Sequence, residues 1–437
     1  MWPMAFGVPG AGRTKAEAVI PKRRERPTLA HHESAGERRS PAQGVEIRIT
    51  DCNENMEGSL MTRLCRSNRV VRKDSGVSHT SYVLLAVFLA AASAYAVAFS
   101  ALAQSASDPG TRSATNATRS AASPAGIVLV AHGGAGDYSQ MPPTQLQARK
   151  DSMSEAVKAG YDILARGGSS LDAVEAAVRI LEDSGQFDAG RGGYYTREGV
   201  PELDASIMDG STLQAGAVAS LKHIANPISL ARMVMERTPH VLLVSTGAEE
   251  FARSQGVELV SPYYFYTERE WTRFEDALKK KSSANPRGEG HGTVGVVALD
   301  QSENLAAGTS TGGTVLKMPG RVGDSPLIGA GTYANNQCCA VSGTGTGEYF
   351  IRNTVASDIC ARMRYLHQSL REAADYVVMK ELVEQGGDGG VIALDRQGNI
   401  ATPFNTNGML TGTVRADGRI TLAGWNKAAA PIVVMPK

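Results

Sequence analysis

The chain has 437 residues, enough for one large domain or two ordinary ones. A hydrophobic share of 42% and 47 glycines fit a soluble globular α/β protein and exclude a fibrous or wholly disordered one. The formal net charge of +1 gives no reason to expect nucleic acid or an acidic partner, and no nucleic-acid-binding signature occurs.

Residues 1–60 are polar, Arg- and Pro-rich and lack periodicity, and read either as disorder or as sequence upstream of a true start at Met56 or Met61. The next stretch has the three-part organisation of a secretory signal. Arg63, Arg66, Arg69, Arg72 and Lys73 form a positive flank, YVLLAVFLAAASAYAVAF (82–99) is the apolar stretch, and Ala101-Leu102-Ala103 is a cleavage site before Gln104. A cleaved signal predicts a periplasmic or secreted protein. The stretch is also long enough to act as a membrane anchor, since about 20 residues span a bilayer. The N-terminal extension is thus 1–103, and the Ser/Ala/Thr-rich segment 104–126 reads as a flexible linker.

Folded sequence begins at Ile127-Val-Leu-Val-Ala131, a buried strand that ends in the turn His132-Gly-Gly-Ala-Gly136. Residues 144–166 form a helix stopped by Gly167-Gly168. Ser169 or Ser170 caps the next helix, whose Leu171, Val174, Val178 and Leu181 share one face. Strands follow at 202–208 and 214–220, then a helix opened by Pro227, a strand at 240–244 and a helix from about Ala248 to Gln255. The charged, Pro- and Gly-bearing stretch 279–291 predicts an exposed, mobile loop. It runs into Thr293-Val-Gly-Val-Val-Ala-Leu299, which pairs as a hairpin with 305–310 through a turn at 300–304. Two helices, 347–365 and 369–385, precede strands at 391–395 and 399–404. Clustered strands and paired helices favour a layered sandwich over strict strand–helix alternation.

The five cysteines are Cys52, Cys65, Cys338, Cys339 and Cys360. The absence of a CxxC argues against a zinc site of that type. Cys338 and Cys339 are adjacent and a vicinal disulfide is strained, so no disulfide framework is expected.

The chemistry centres on Thr293, at the junction of a polar loop and a buried strand. A threonine hydroxyl is a poor nucleophile with no base of its own. Cleavage of the Gly292–Thr293 bond places a new α-amino group beside it, with an intrinsic pKa of about 7.7–8.0 suited to proton transfer near neutral pH. Thr311, in Ser310-Thr-Gly-Gly313, can face Thr293 across the hairpin. Arg321 and Asp324 can clamp the carboxylate and ammonium of an amino acid, or simply form a surface ion pair. Gly343-Thr-Gly-Thr-Gly347 lacks the lysine and spacing of a phosphate loop and fits an oxyanion site better. His132 reads as a turn residue bonded to backbone rather than a general base, His291 as spacer, and Tyr263, Tyr264, Phe265 and Tyr266 as packing.

Together these residues resemble the plant-type L-asparaginase and isoaspartyl peptidase family of Ntn-hydrolases. The matching stretches are AHGGAG (131–136), ELDASIMDG (202–210), AGAVASLKHIANPISLAR (215–232), HGTVGVVALD (291–300), STGG (310–313), GRVGDSPLIGAGTYANN (320–336) and TGTGE (344–348), with a weaker FNTNGM (404–409). The resemblance implies an α+β fold, a four-layer αββα sandwich. It implies a precursor cut between Gly292 and Thr293 into an α subunit (127–292) and a β subunit (293–437), assembled as an (αβ)₂ oligomer. Thr293 would be the nucleophile for cleavage and turnover, supported by Thr311. Arg321 and Asp324 would hold the aspartyl moiety of the substrate. Thr344 and Gly345 would stabilise the oxyanion, with Gly347 in the same substrate-facing loop. No cofactor is implied for catalysis. A structural sodium is implied on the carbonyls of Leu181, Glu182, Ser184, Phe187, Ala189 and Arg191.

The implied reaction is hydrolysis of L-asparagine and of β-aspartyl dipeptides. The alternatives are glycosylasparaginase-like hydrolysis of GlcNAc-Asn and an inactive exported amino-acid-binding protein, which would stay one uncut chain. The sequence departs from the family where Asp188 replaces the usual Asn of Phe-Asn-Ala-Gly, at Gly192-Gly-Tyr-Tyr195, and in carrying a signal.

Overall fold

A computed structural model describes residues 126–280 and 292–435. The signal at 82–103, the linker up to 125, and 281–291 of the polar loop lie outside the described residues.

Strand β1 (Val128–Gly136) opens on an apolar run, and its alternate residues are buried on both faces. Helix α1 (Pro143–Ala165) starts on a proline, whose missing N–H is not needed in a first turn. Gly167, at φ +81°, takes the left-handed position that ends it. Helix α2 (Ser170–Asp183) is capped by the Ser169 hydroxyl, which accepts from Asp172 N–H. Strands β2 (Leu203–Asp209) and β3 (Ala215–Leu221), helix α3 (Pro227–Arg237), strand β4 (Leu242–Val244) and helices α4 (Ser245–Ser254) and α5 (Glu268–Lys279) follow.

After the 292–293 junction come β5 (Val294–Leu299), β6 (Leu305–Thr311), β7 (Thr332–Ala334) and β8 (Cys339–Gly345). Helices α6 (Gly347–Asn353) and α7 (Val355–Tyr365) are next. Helix α8 runs over Leu370–Asp375, through a π-helical turn at Tyr376–Glu381, to Leu382–Glu384. Strands β9 (Gly389–Asp395), β10 (Ile400–Ala401), β11 (Gly408–Arg415), β12 (Ile420–Ala423) and β13 (Ile432–Val434) close the chain.

The mixture of helices and mostly antiparallel strands is an α+β arrangement. A nine-stranded sheet has the order β13-β12-β11-β1-β5-β6-β2-β3-β4, and a four-stranded sheet the order β10-β9-β8-β7. Leu129 and Ala131 of β1 pack with Met153 and Val157 of α1 and Val174 of α2. Val128 and Val130 face the other way, into a cluster with Ala340 of β8 and Ile392 of β9. The opposite face of the small sheet, Val341 and Val391, packs on Ile359 of α7 and Val377 of α8.

Several expectations need correction. The helix expected over 347–365 breaks at Thr354, whose φ of 46° is left-handed, so α6 and α7 are separate. Helix α5 and strands β7, β8, β11, β12 and β13 were not expected, and the strand at 399–404 shrinks to Ile400–Ala401. Cys338 pairs with Cys360, 22 residues away. The vicinal argument excluded only the 338–339 bond, and the approach of α7 to the start of β8 supplies a different partner, while Cys339 is free and buried.

Candidate active site

The β5–β6 hairpin sets the register of the site. The Asp300 carboxylate closes the turn, Oδ1 accepting from Ser302 and Asn304 N–H, while Oδ2 accepts from Ser170 N–H at the start of α2. Leu299 then pairs with Leu305 and Val294 with Ser310. One step further along the same register puts Thr293 opposite Thr311, and their hydroxyl oxygens are 2.9 Å apart in a buried setting.

The loop after α2 comes up beneath this pair. Asp188 is buried and touches both sides of the hairpin. Its backbone N–H donates to the Gly292 carbonyl at 3.0 Å, and its carbonyl accepts from Gly312 N–H at 3.0 Å. Its Oδ1 accepts from Tyr194 N–H at 2.7 Å, and its Oδ2 accepts from the Thr311 hydroxyl at 3.4 Å. Burial raises its pKa to about 7, against the opposing hydrogen bond from Tyr194 N–H.

His132 lies within β1, not in a turn. Its Nδ1 accepts from Gly134 N–H, its Nε2 meets the Ser342 hydroxyl at 3.1 Å, and it also hydrogen-bonds the Thr293 backbone. Burial lowers its pKa to about 3, so it stays neutral, and the expectation of a backbone-bonded residue rather than a general base is consistent with that. Gly295 has to be glycine here, because a Cβ would collide with Ser342 Oγ and press on His132.

Thr344 and Gly345 are the last two residues of β8, paired with Gly390 and Gly389, so they sit on strand rather than in the expected loop. The Thr344 hydroxyl oxygen accepts from Ala135 N–H at 3.2 Å, which ties it to the end of β1. Arg321 makes a bidentate pair with Glu348, Nε to Oε1 and Nη2 to Oε2, both at 3.1 Å. Asp324 is buried. A Cβ built on Gly347 would lie 2.9 Å from Asp324 Oδ1 and 3.0 Å from Arg321 Nη2, so this glycine lets the two side chains close on the start of α6. A Cβ on Gly313 would lie 3.4 Å from Arg321 Nη1, which brings the guanidinium to within two residues of Thr311.

The carbonyl loop between α2 and β2 turns on Gly185, Gly190 and Gly192. A Cβ on Gly192 would lie 2.9 Å from the Phe187 carbonyl oxygen and 3.0 Å from that of Gly185. The Leu181 and Glu182 carbonyls already accept at 2.8 Å, from the Ser184 hydroxyl and Arg191 N–H. Among the described residues, no hydrogen bond ends on the carbonyls of Ser184, Phe187, Ala189 or Arg191. Neutral carbonyl oxygens with spare lone pairs are the kind of ligand a hard cation takes.

Sequence reasoning missed Lys317. It is buried, donates to the Glu202 carbonyl at 2.6 Å, and lies 3.9 Å from Asp204 Oδ2. Its trace in the sequence is its place between STGG and GRVGD. Asp204 pairs with Thr311 across β2 and β6, so this buried ion pair lies under the hairpin end.

A family model described as asparaginase matches residues 125–423. An isoaspartyl peptidase of Salmonella typhimurium is 50% identical over 291 residues, 64% of this chain and 93% of the relative. An isoaspartyl peptidase of Escherichia coli is 51% identical over 291 residues, covering 64% and 91% of the two chains. A probable isoaspartyl peptidase/L-asparaginase 2 of Arabidopsis thaliana is 40% identical over 329 residues, covering 69% and 99%.

Proposed function

The chain belongs to the asparaginase family, and on that premise we propose that it is a self-cleaving threonine hydrolase. It hydrolyses L-asparagine to L-aspartate and ammonia, and β-aspartyl dipeptides to aspartate and the second amino acid. The observation that carries this is the buried Thr293 hydroxyl, 2.9 Å from Thr311 Oγ1 and one residue ahead of β5. The names of the relatives favour these substrates over a glycosylated asparagine. The fold reading that goes with it is four layers, α1–α4, the large sheet, the small sheet and α7–α8.

The cut falls between Gly292 and Thr293. Strands β5 and β6 lie between β1 and β2, so the two pieces stay joined by ladders on both sides. The freed Thr293 amine takes the hydroxyl proton as Oγ1 attacks the substrate's side-chain carbonyl carbon. The developing oxyanion is held by the Thr344 hydroxyl and Gly345 N–H. The leaving ammonia or amino acid takes the proton, and water then hydrolyses the β-aspartyl ester on Thr293.

The Arg321 guanidinium binds the substrate α-carboxylate. Glu348 takes the Nε–H and one Nη2 N–H, which leaves the second Nη2 N–H and both on Nη1, the nitrogen nearest Gly313, for the substrate. Asp324 takes the α-ammonium, and Gly347 leaves room for both. The carbonyls of Leu181, Glu182, Ser184, Phe187, Ala189 and Arg191 would hold a sodium ion, which would stiffen the segment carrying Asp188. The processed chain assembles as (αβ)₂, to be checked by light scattering.

Two measurements test the activity together. N-terminal sequencing of purified protein should find Thr293, and ammonia and aspartate should be released from asparagine and from a β-aspartyl dipeptide. A single uncut chain without hydrolysis would overturn the reading. Export to an oxidising compartment is supported by the Cys338–Cys360 bond. The check is cell fractionation with thiol labelling, where cytoplasmic protein with free Cys338 and Cys360 would refute it.

A further inference from the structure

A cationic cluster stands apart from the groups that the proposed chemistry uses, between α1, α5 and the turn after α2. Arg149 of α1 is buried, with 5% of its surface exposed, and no carboxylate pairs with it among the described residues. Its guanidinium lies 5.8 Å from the centre of the Tyr138 ring and 5.4 Å from that of Phe187, and its Nε has no hydrogen-bond partner. The charged groups that face it are Arg269 and Arg273 of α5, both of its own sign. One buried carboxylate, Glu270, serves these two, with Oε1 2.5 Å from Arg269 Nε and Oε2 3.6 Å from Arg273 Nη1. Asp188 also bears on Arg273, but the excess of positive charge remains at Arg149 and Arg269. Arg269 Nη2 is left buried with no hydrogen-bond partner. Guanidiniums out of water without enough counter-charge call for a further anion.

Beside the cluster is a solvent-open cavity of about 500 Å³. Thr144 and Gln145 of α1 form one side, Ser184 to Gln186 and Arg191 a second, and Thr267 and Arg269 of α5 the third. Apart from Gly185, every side chain of that lining is a hydroxyl, an amide or a guanidinium, and none is a carboxylate. Arg149 lies behind this wall. It follows Gln145 by one helical turn on the same face, and a helical side chain leans back towards the N-terminus. Phe187, whose ring lies under its guanidinium, directly follows Gln186.

The cavity is rich in donors. Arg269 presents the unpartnered Nη2. Arg191 is exposed and makes no ion pair among the described residues. Thr267 Oγ1 accepts from Glu270 N–H at 3.3 Å, which leaves its own O–H to donate. The Thr144 and Gln145 N–H groups come before the Leu146 N–H that bonds the Pro142 carbonyl, so they add to the same side.

We propose that this cavity binds a small oxyanion of two or more negative charges, a phosphate or a dicarboxylate, with Arg269 and Arg191 as its direct partners and Arg149 as the buried charge behind them. Guanidinium forks match the oxygens of both groups, and the lining offers no apolar surface for a hydrocarbon body to cover. The bound anion ties α1 and α5 to the turn after α2. The site uses the side chains of that turn and not the carbonyls proposed for sodium, and it stands whether or not the chain cuts at Thr293.

The test is calorimetric titration of the purified protein with inorganic phosphate at about pH 8, with sodium and ionic strength held constant and chloride as the reference salt. Wild type should bind phosphate with a dissociation constant of about 1 mM or below, and roughly ten times that concentration should raise Tm by about 2–4 °C. Arg269→Gln should weaken binding at least about tenfold, and Arg149→Met about three- to tenfold, because each removes a charge from the desolvated side of the site. Arg321→Ala should bind phosphate within about twofold of wild type, which separates the cavity from the proposed substrate clamp. Succinate, titrated into Arg321→Ala so that the clamp does not contribute, is the dicarboxylate arm, and the tighter of the two anions names the ligand type. Failure of both anions to bind better than chloride overturns the proposal. Wild-type phosphate affinity in Arg269→Gln, or loss of binding in Arg321→Ala, overturns it as well. Should Arg269→Gln not fold, the exposed Arg191→Gln decides: binding about threefold weaker supports the site, and unchanged affinity overturns it.

Discussion

The proposed nucleophile end of the site is built from hydroxyls on paired strands, whereas the proposed substrate-holding end is built from charges on a loop and a helix start. Thr293 and Thr311 are buried and aligned by backbone register, and the Thr293 hydroxyl can be activated only where water does not compete. Arg321 lies at the boundary with solvent, paired to a Glu348 that is largely exposed. On the proposed function a charged substrate enters and leaves there, and a fully buried guanidinium would carry a desolvation cost. Precision therefore comes from the ladder at one end and from electrostatics at the other.

That contrast can be broken most directly at Thr293. Thr293→Ala should abolish both chain cleavage and hydrolysis, read by gel and by ammonia release, and normal processing of this variant would refute the assignment. Arg321→Ala should leave cleavage largely intact and lower kcat/KM by about 2–5 kcal/mol, roughly 30- to 5,000-fold, because it leaves the substrate carboxylate unpaired. Loss of cleavage along with activity would make Arg321 a structural residue instead. Gly347→Ala adds a Cβ 2.9 Å from Asp324 Oδ1 and 3.0 Å from Arg321 Nη2. It should displace the clamp and reduce kcat/KM by about 10- to 100-fold, again with normal cutting on a gel. Glu348→Gln should act least, about 1.5- to 5-fold, since an exposed ion pair contributes little. A large loss there would mean that Glu348 does more than steer Arg321.

A stability measurement sharpens the same comparison from outside the site. Cys360→Ser opens a loop spanning 22 residues behind β8 and should lower unfolding free energy by about 3 kcal/mol in a urea titration. Turnover below the transition should change little, because the bond lies behind the strand that carries Thr344 rather than at the site.

Much of the nucleophile end was legible in the sequence. The apolar run after Thr293, the turn at Asp300–Asn304 and the partner run at 305–310 are local signals, and a hairpin register counts outward from its turn. The clamp residues were legible as types, but their geometry was not. Nothing near Arg321 announces that Glu348 takes two of its donors, or that Gly347 lies between Arg321 and Asp324. Strand β8 was hidden because its Gly- and Thr-rich end reads as loop. The helix break at Thr354 was hidden because a left-handed threonine has no local signature.

The sequence by itself determined the chemistry on offer: a threonine at the head of a buried strand, a second threonine in hairpin register with it, and an acid at 188. These follow from residue type and from spacings of a few positions. Only the tertiary structure decided where Asp188 goes. Its N–H reaches Gly292 across 104 positions and its carboxyl reaches Thr311 across 123, contacts that exist because α2 delivers its C-terminal loop to the end of the β5–β6 hairpin. The same closure buries the carboxyl, and burial rather than sequence moves its proton affinity towards neutral pH.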